Sequence, residues 1–323
     1  MRFSVHQVSR QGGRANNEDR MGYSYTRQCG LFLLADGMGG HPEGEVASRL
    51  ALASVAAQFQ RLAQPRLEDP ARFLHDAFIG AHQELLRYAS GKSLPDTPRT
   101  TLVVCVLQEG QAWWAHCGDS RLYALREAHL VTRTRDHSYH EIEGSFAGLL
   151  PEGAVVSRSA LYTCLGSPIT PMVDTAGPMA LQPGDRLLLC SDGLWAPLPD
   201  EEIVRVMTGT PLARAVPEAV ELALRRAGPR SDNVTALGVE WEGDAEPVQT
   251  PAAPAAGALV SDTDMGTREG GAPPADNAPG QAGRPASAEP GPDEGGLELP
   301  APLRKINDTI LRAVRRKPQE NPR

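Results

Sequence analysis

Nowhere in the sequence do about 18 apolar residues run together, the length a membrane-crossing helix needs, so no transmembrane segment is expected. The first ten residues, MRFSVHQVSR, hold no apolar core of the kind a secretory leader carries, and a cytoplasmic location is the expectation. Basic charge is in deficit. Lys and Arg number 32 against 40 Asp and Glu, a formal net charge of −8. A broad nucleic-acid-binding face needs the opposite balance, so no nucleic-acid partner is expected. Cysteine is sparse as well. The five, Cys29, Cys105, Cys117, Cys164 and Cys190, form no CxxC pair, are odd in number and sit in or beside apolar segments. Reduced, buried thiols account for them more simply than disulfides or a zinc ribbon. No internal repeat is visible.

What is present is core material. The chain has 323 residues, 41% of them hydrophobic, enough to bury a sizeable core. Composition divides it near residue 242. Residues 1–242 alternate apolar runs with turn signals. Residues 243–302 are dominated by Ala, Pro and Gly, with 10 acidic and 2 basic side chains, and read as a disordered linker. In 303–317, LRKINDTILRAVRRK, the residues Leu303, Ile306, Ile310, Leu311 and Val314 share one helical face, while six basic residues and one acid occupy the rest. This basic amphipathic segment reads as a helix that docks on a partner, on an anionic surface or on its own catalytic domain.

Strands are expected over 2–8, 21–27, 30–35, 101–107, 111–117, 120–126, 129–134, 186–191 and 234–241. Helices are expected over 44–63, 70–90, 199–207 and 212–227, the second with Asp69 as N-cap and Pro70 at its first position. The short breaks between strands in 101–134 read as antiparallel hairpins rather than βαβ units. The fold class is α+β, with antiparallel sheets and paired helices outside them.

Several of these apolar strands run into an acid. LFLLADGMGG ends in Asp36-Gly37, WWAHCGDSRLY holds Asp119 in a tight break, GDRLLLCSDGLW reaches Asp192-Gly193, GPRSDNVTALGVEW sets Asp232 before the last strand, and GGRANNEDR places Glu18 and Asp19 before another, with Arg14 just upstream. Each alone is an ordinary turn signal. Together they are harder to read as turns, because strand ends of one sheet system converge on one rim and carboxylates gathered there repel unless a cation lies between them. The set supplies oxygen only, which suits Mg²⁺ or Mn²⁺ over Zn²⁺ or Cu²⁺. Two such ions ~3.5–4 Å apart suit in-line displacement at phosphorus, and Arg14 suits phosphate recognition.

RANNED (14–19), ADGMGGHPEGEVAS (35–48), CGDSRLY (117–123), TRDHS (134–138), LYTCLGSP (161–168), CSDGLW (190–195) and SDNVT (231–235) follow one another in an order that resembles the bacterial branch of the protein phosphatase 2C family of metal-dependent Ser/Thr phosphatases. The resemblance covers about 1–242. It implies a four-layer α-β-β-α sandwich, two antiparallel sheets flanked by helix pairs, with a dinuclear Mn²⁺ or Mg²⁺ centre at one rim. It also implies roles. Asp36 bridges the two ions and Gly37 offers its carbonyl. Asp192 and Asp232 hold one ion. Glu18 serves the other, and Asp19 orients water. Asp119 helps hold a weaker third ion, and Arg14 grips the substrate phosphate. The catalytic set is then Arg14, Asp36, Asp192 and Asp232. The implied reaction is hydrolysis of phosphoserine and phosphothreonine in proteins by direct attack of a metal-activated water, opposing a bacterial Ser/Thr kinase. A monomeric catalytic domain is expected, with the kinase or a docking partner of the tail as further partners. Residues from about 137 to 167 correspond to the family's flap.

The chain departs from the family pattern at three places. Met38 stands where some members carry His, Ala196 where many carry Asp, and Arg99 where Gly is frequent before the paired Thr. His41 lies near Met38 on the same loop and is read as incidental. His137 and His140 are spaced as a ligand pair but are read as flap residues, and Trp113-Trp114 as strand packing. Two other classes fit the sequence less well. An aspartyl-phosphate phosphotransferase looks for DxD after a parallel strand, where this chain has Asp-Gly and antiparallel hairpins. A non-catalytic sensor module is opposed by the full set of acids.

Overall fold

Period-two alternation in the strands sets the architecture. In β3 (Cys29–Asp36), Leu31, Leu33 and Ala35 pack on helices, while Phe32 and Leu34 point the other way into a second core. A strand buried on both faces needs a layer on each side, and the computed structural model supplies them. It describes residues 1–141, 160–243 and 257–260.

One sheet has the order β1-β10-β9-β6-β7 and the other β11-β2-β3-β4-β5-β8, every pairing antiparallel. The strands are β1 Arg2–Arg10, β2 Asp19–Tyr25, β3, β4 Leu102–Gln108, β5 Gln111–Cys117, β6 Arg121–Arg126, β7 His129–Arg133, β8 Asp174–Ala180, β9 Arg186–Cys190, β10 Val234–Gly243 and β11 Gly257–Val260. Helices α1 (Gly44–Leu62) and α2 (Pro70–Gly91) cover the six-stranded sheet through Val55, Phe59, Leu74, Phe78 and Leu85. Helices α3 (Asp192–Trp195), α4 (Asp200–Gly209) and α5 (Leu212–Ala227) cover the other through Leu194, Ile203, Met207, Val216 and Val220. Between the sheets lie Phe32, Leu34, Val103, Trp114, Leu122, Leu189, Leu237 and Trp241. Three apolar cores thus separate four layers, the α-β-β-α sandwich expected. Asp69 caps α2 as expected, its side chain accepting from the Arg72 N–H at 3.0 Å. All five cysteines are free and buried.

Two strands depart from the expectation. In β8, DTAGPMA, Gly-Pro reads as a turn and no apolar alternation is present. The segment is an exposed edge strand on β5, where a missing N–H is tolerated. In β11 the chain pairs with β2. The interval 243–302 was expected to be linker throughout, and this strand corrects that reading: the free edge of β2 offers unpaired backbone groups to any segment that returns to it. The compact unit accordingly runs Met1–Asp262 rather than ending near 242. The rest of the linker interval, the tail 303–317 and the middle of the flap fall outside the described residues. No helix among the described residues is long and apolar enough to cross a membrane.

Candidate active site

The alternation that orders β3 also aims Asp36. Its side of the strand is that of Phe32 and Leu34, so the carboxylate emerges between the two sheets where the apolar filling stops. Asp19 is its direct cross-strand partner on β2 and shares the face of Met21. From the opposite sheet, Ser191 follows β9 and its hydroxyl donates to Asp19 Oδ2 at 2.7 Å. Ser191 in turn is fixed by Thr235 of β10, whose N–H donates to Ser191 Oγ at 3.0 Å. The sheets are therefore tied together at the rim by hydrogen bonds where no apolar contact holds them.

Five strand ends deliver side chains to one cleft of about 400 Å³, lined among others by Arg14, Glu18, Asp36, Gly37, Asp119, Asp192 and Asp232. Glu18 enters just before β2, Asp119 from the β5–β6 turn, Asp192 as the first residue of α3, and Asp232 just before β10. Arg14 comes from the β1–β2 loop and donates from Nη2 to Asp232 Oδ2 at 2.5 Å. Asp19 lies behind the cleft rather than on its wall, buried at 3% exposure. Every site residue expected from the sequence is thus at or directly behind this one place. His41 is not on the cleft wall; its Nδ1 is held by Asp96 Oδ2 at 3.0 Å. Met38 is on the wall, so no imidazole stands at that position. Ala196 lines an adjoining cavity with Asp119 and Asp192 and offers no side-chain oxygen beside those two acids.

Crowded acids raise one another's pKa. Burial pushes the Asp36 carboxyl well above the usual carboxylate range, with the charges of Asp19, Asp192, Asp119 and Asp232 adding to it. Asp192 is raised in the same way by burial, then by Asp119, Asp232 and Asp19. Burial pushes Asp19 up to about 6, against the lowering effect of the Ser191 hydrogen bond. Asp119 is pushed up to about 7 by burial and by the charge of Asp136. Glu18 is raised by burial and by Glu45, while the hydrogen bond to Asp232 raises Arg14 above its ordinary value. Asp19 Oδ1 is buried without a hydrogen-bond partner. An all-oxygen set with a buried orphan oxygen and mutually repelling carboxylates fits divalent cations of the Mg²⁺ and Mn²⁺ type. Gly37 fits the same need for close approach. A Cβ there would lie 2.4 Å from Gly44 O and 2.9 Å from Glu18 Cβ, so only glycine lets the loop pass.

Sequence reasoning missed the residues that hold the ligands in place. Asn233 is the hub. Its Oδ1 accepts from the Glu18 N–H at 2.8 Å, and its Nδ2 donates to Gln11 O and Asn16 O at 2.8 and 2.9 Å, which pins the Arg14 loop. Thr100 and Thr101 anchor Asp36. The Asp36 N–H donates to Thr101 Oγ1 at 3.1 Å, and Thr100 Oγ1 donates to Asp36 O at 2.8 Å. Trp195 Nε1 donates to Asp119 O at 2.9 Å. The available signal was the motif itself: an Asn after Asp232 and a paired Thr before a strand both carry spare hydrogen-bonding groups.

A family model described as protein phosphatase 2C matches residues 7–226. The chain belongs to the protein phosphatase 2C family. Among relatives, the serine/threonine protein phosphatase PstP of Mycobacterium tuberculosis is 36% identical over 229 residues, covering 69% of this chain and 42% of that protein. The chain therefore spans less than half the length of that relative. The serine/threonine phosphatase Stp of Listeria monocytogenes is 31% identical over 240 residues, covering 70% of this chain and 91% of that protein. Among solved structures, M. tuberculosis PstP/Ppp superposes with a TM-score of 0.62 at 32% identity, over 75% of this chain and 99% of that one. The PstP catalytic domain solved with two manganese ions gives 0.60 at 31% identity, over 74% and 97%. This phosphatase-family sandwich is the layered fold described above.

Proposed function

We propose that the chain is a metal-dependent phosphoprotein phosphatase acting on phosphoserine and phosphothreonine. The observation that carries this reading is the meeting of Glu18, Asp36, Asp119, Asp192, Asp232 and Arg14 in one cleft from separate strand ends. Asp36, the Gly37 carbonyl, Asp192, Asp232 and Glu18 would hold two ions. Asp19, behind them, would orient water. Bound there, two Mn²⁺ or Mg²⁺ ions supply charge neutralisation and an activated water for in-line attack at phosphorus. A third ion would rest on Asp119 and bind weakly, because Ala196 offers no oxygen beside it.

The chain's own residues do the rest. Arg14 presents a guanidinium at the cleft, held ready by Asp232, and binds the equatorial phosphate oxygens of the substrate. The cleft wall carries no His, Cys or Lys among the described residues, which favours direct hydrolysis over a phosphoenzyme on those side chains. Thr101 is already engaged, its hydroxyl 2.7 Å from Ser120 Oγ and accepting from Asp36. Physiological substrates are phosphoproteins made by a Ser/Thr kinase, and the catalytic unit acts as a monomer in the cytoplasm.

The test is phosphate release from a phosphothreonine peptide with Mn²⁺, with EDTA, and with Mn²⁺ restored. Activity is expected in the first and third conditions only. Arg14→Ala is expected to raise KM about tenfold, the scale of one charge-assisted phosphate contact. Full activity in EDTA would end the proposal.

A further inference from the structure

His137 opens the H-x-x-H spacing that ends at His140. In the fold it meets His116 of β5 and Asp174 of β8, neither of which belongs to the cleft. The imidazoles of His116 and His137 stack with centroids 4.5 Å apart. His116 and Asp174 are direct cross-strand partners. One ligand atom from each of the three residues lies within 4.8 Å of the others.

The bonding around these side chains leaves one nitrogen of His116 with a lone pair and turns His137 Nε2 toward Asp174. His116 Nε2 donates to Arg135 O at 2.7 Å, so its Nδ1 keeps a bare lone pair. A ring nitrogen tied to a backbone carbonyl is the usual partner arrangement of a metal-ligating histidine. His137 is 2% exposed, and its Nε2 has no hydrogen-bond partner. That nitrogen lies 3.4 Å from Asp174 Oδ2, whose side chain is 59% exposed and gives the cluster an opening to solvent. The scaffold is firm. The His137 N–H donates to Gly118 O, and the Tyr162 N–H donates to His137 O, both at 3.0 Å.

We propose that His116 Nδ1, His137 Nε2 and Asp174 form a second metal site, sharing no residue with the carboxylate cleft, that takes a transition-metal dication of the Zn²⁺ class. Two imidazoles and one carboxylate with a remaining open position are a zinc-type ligand set, unlike the all-oxygen cleft. Burial and the neighbouring His116 lower His137 to about 4, which keeps its imidazole in the neutral, ligating form. Loading carries one proton shift. The Gly118 N–H now donates to His137 Nδ1 at 3.3 Å, so Nε2 carries the proton. The metal takes that place and the proton passes to Nδ1, where it faces the Gly118 N–H, so the 3.3 Å hydrogen bond is lost and the two donors must move apart. The bound ion joins the segment that opens the flap, at His137, to β8, which follows it.

The experiment uses the full chain, stripped with chelator, exchanged into excess Mg²⁺, incubated with Zn²⁺ and desalted, with zinc per chain read by elemental analysis. Wild type is expected to retain one zinc more per chain than Asp174→Ala or His116→Gln. Zn²⁺ added over Mg²⁺ is expected to raise the melting temperature of wild type by several degrees and to leave Asp174→Ala unmoved. Asp174 is exposed and outside the cleft, so this variant keeps its Mn²⁺-dependent hydrolysis within twofold and decides the matter even where His116→Gln fails to fold. Equal zinc content in wild type and Asp174→Ala, at whatever level, would overturn the proposal. Because zinc content is read apart from hydrolysis, a failure here leaves the phosphatase reading standing, and the reverse.

Discussion

Asp36 stands where the alternation of β3 outlasts its apolar partners. The same logic makes the site a cluster of raised carboxyls, and it carries a sign. A carboxyl whose folded pKa lies above its unfolded one binds more protons folded than unfolded, so stability is full at low pH and falls as pH rises through the folded value. Asp19 at about 6 and Asp119 at about 7 set the window against unfolded values near 4. Chelated protein is expected to lose melting temperature between about pH 4 and 7, and Mn²⁺ is expected to restore most of it at pH 7.5. A flat profile, or one rising with pH over this range, would contradict the crowding described. Asn233 gives a second residue-scale expectation. Asn233→Ala removes three side-chain hydrogen bonds, at roughly 1 kcal/mol net each, and frees both Glu18 and the Arg14 loop. A destabilisation of about 2–3 kcal/mol in urea unfolding and at least a tenfold loss of kcat/KM are expected. Unchanged stability would remove Asn233 from its place as hub.

At the scale of elements, legibility followed the strength of the local pattern. Strands such as CGLFLLAD and DRLLLC, and the helix capped by Asp69-Pro70, were visible because periodicity and capping agree. β8 was not visible, because an exposed edge strand needs no apolar alternation and admits Gly-Pro. α3 escaped notice because four residues are too few to show a period, although its first residue, Asp192, was found from the strand before it. The acids of the cleft were legible as strand-end residues. Their supports, Asn233, Thr101 and Ser191, were not: the motifs show spare hydrogen-bonding groups there, but not the distant partners that give them a role. The same holds for His116 and His137, brought together only by the packing of β5 against the segment after β7. One junction of elements was also missed. Arg121 of β6 donates to both Asp136 oxygens at 2.7 Å and stacks 3.6 Å over the Trp195 ring of α3. Arg121 and Asp136 are both buried, so removing one partner leaves an uncompensated charge. Arg121→Ala is expected to cost about 3–5 kcal/mol of unfolding free energy, against under 1 kcal/mol for Arg72→Ala on the exposed face of α2. Similar losses for the two would contradict that difference.

At the scale of the whole molecule, the compact unit that carries the cleft ends at Asp262. Every residue assigned to the metal cleft, to phosphate binding and to the His116 cluster lies within it. A chain cut after residue 262 is expected to hydrolyse a short phosphothreonine peptide with kcat/KM within twofold of the full chain. A loss of more than tenfold would place part of the catalytic machinery in 263–323. The predicted result would assign the basic segment 303–317 to protein substrates or location rather than to the chemistry. In the proposed function one carboxylate, delivered by an apolar strand to the seam between two sheets, organises a dinuclear phosphatase centre. Phosphate release from a phosphothreonine peptide in saturating Mn²⁺ by Asp36→Asn, a nearly isosteric change, tests it most directly. A rate at least a thousandfold below wild type with the fold intact is the predicted result, and a rate within tenfold of wild type would contradict it.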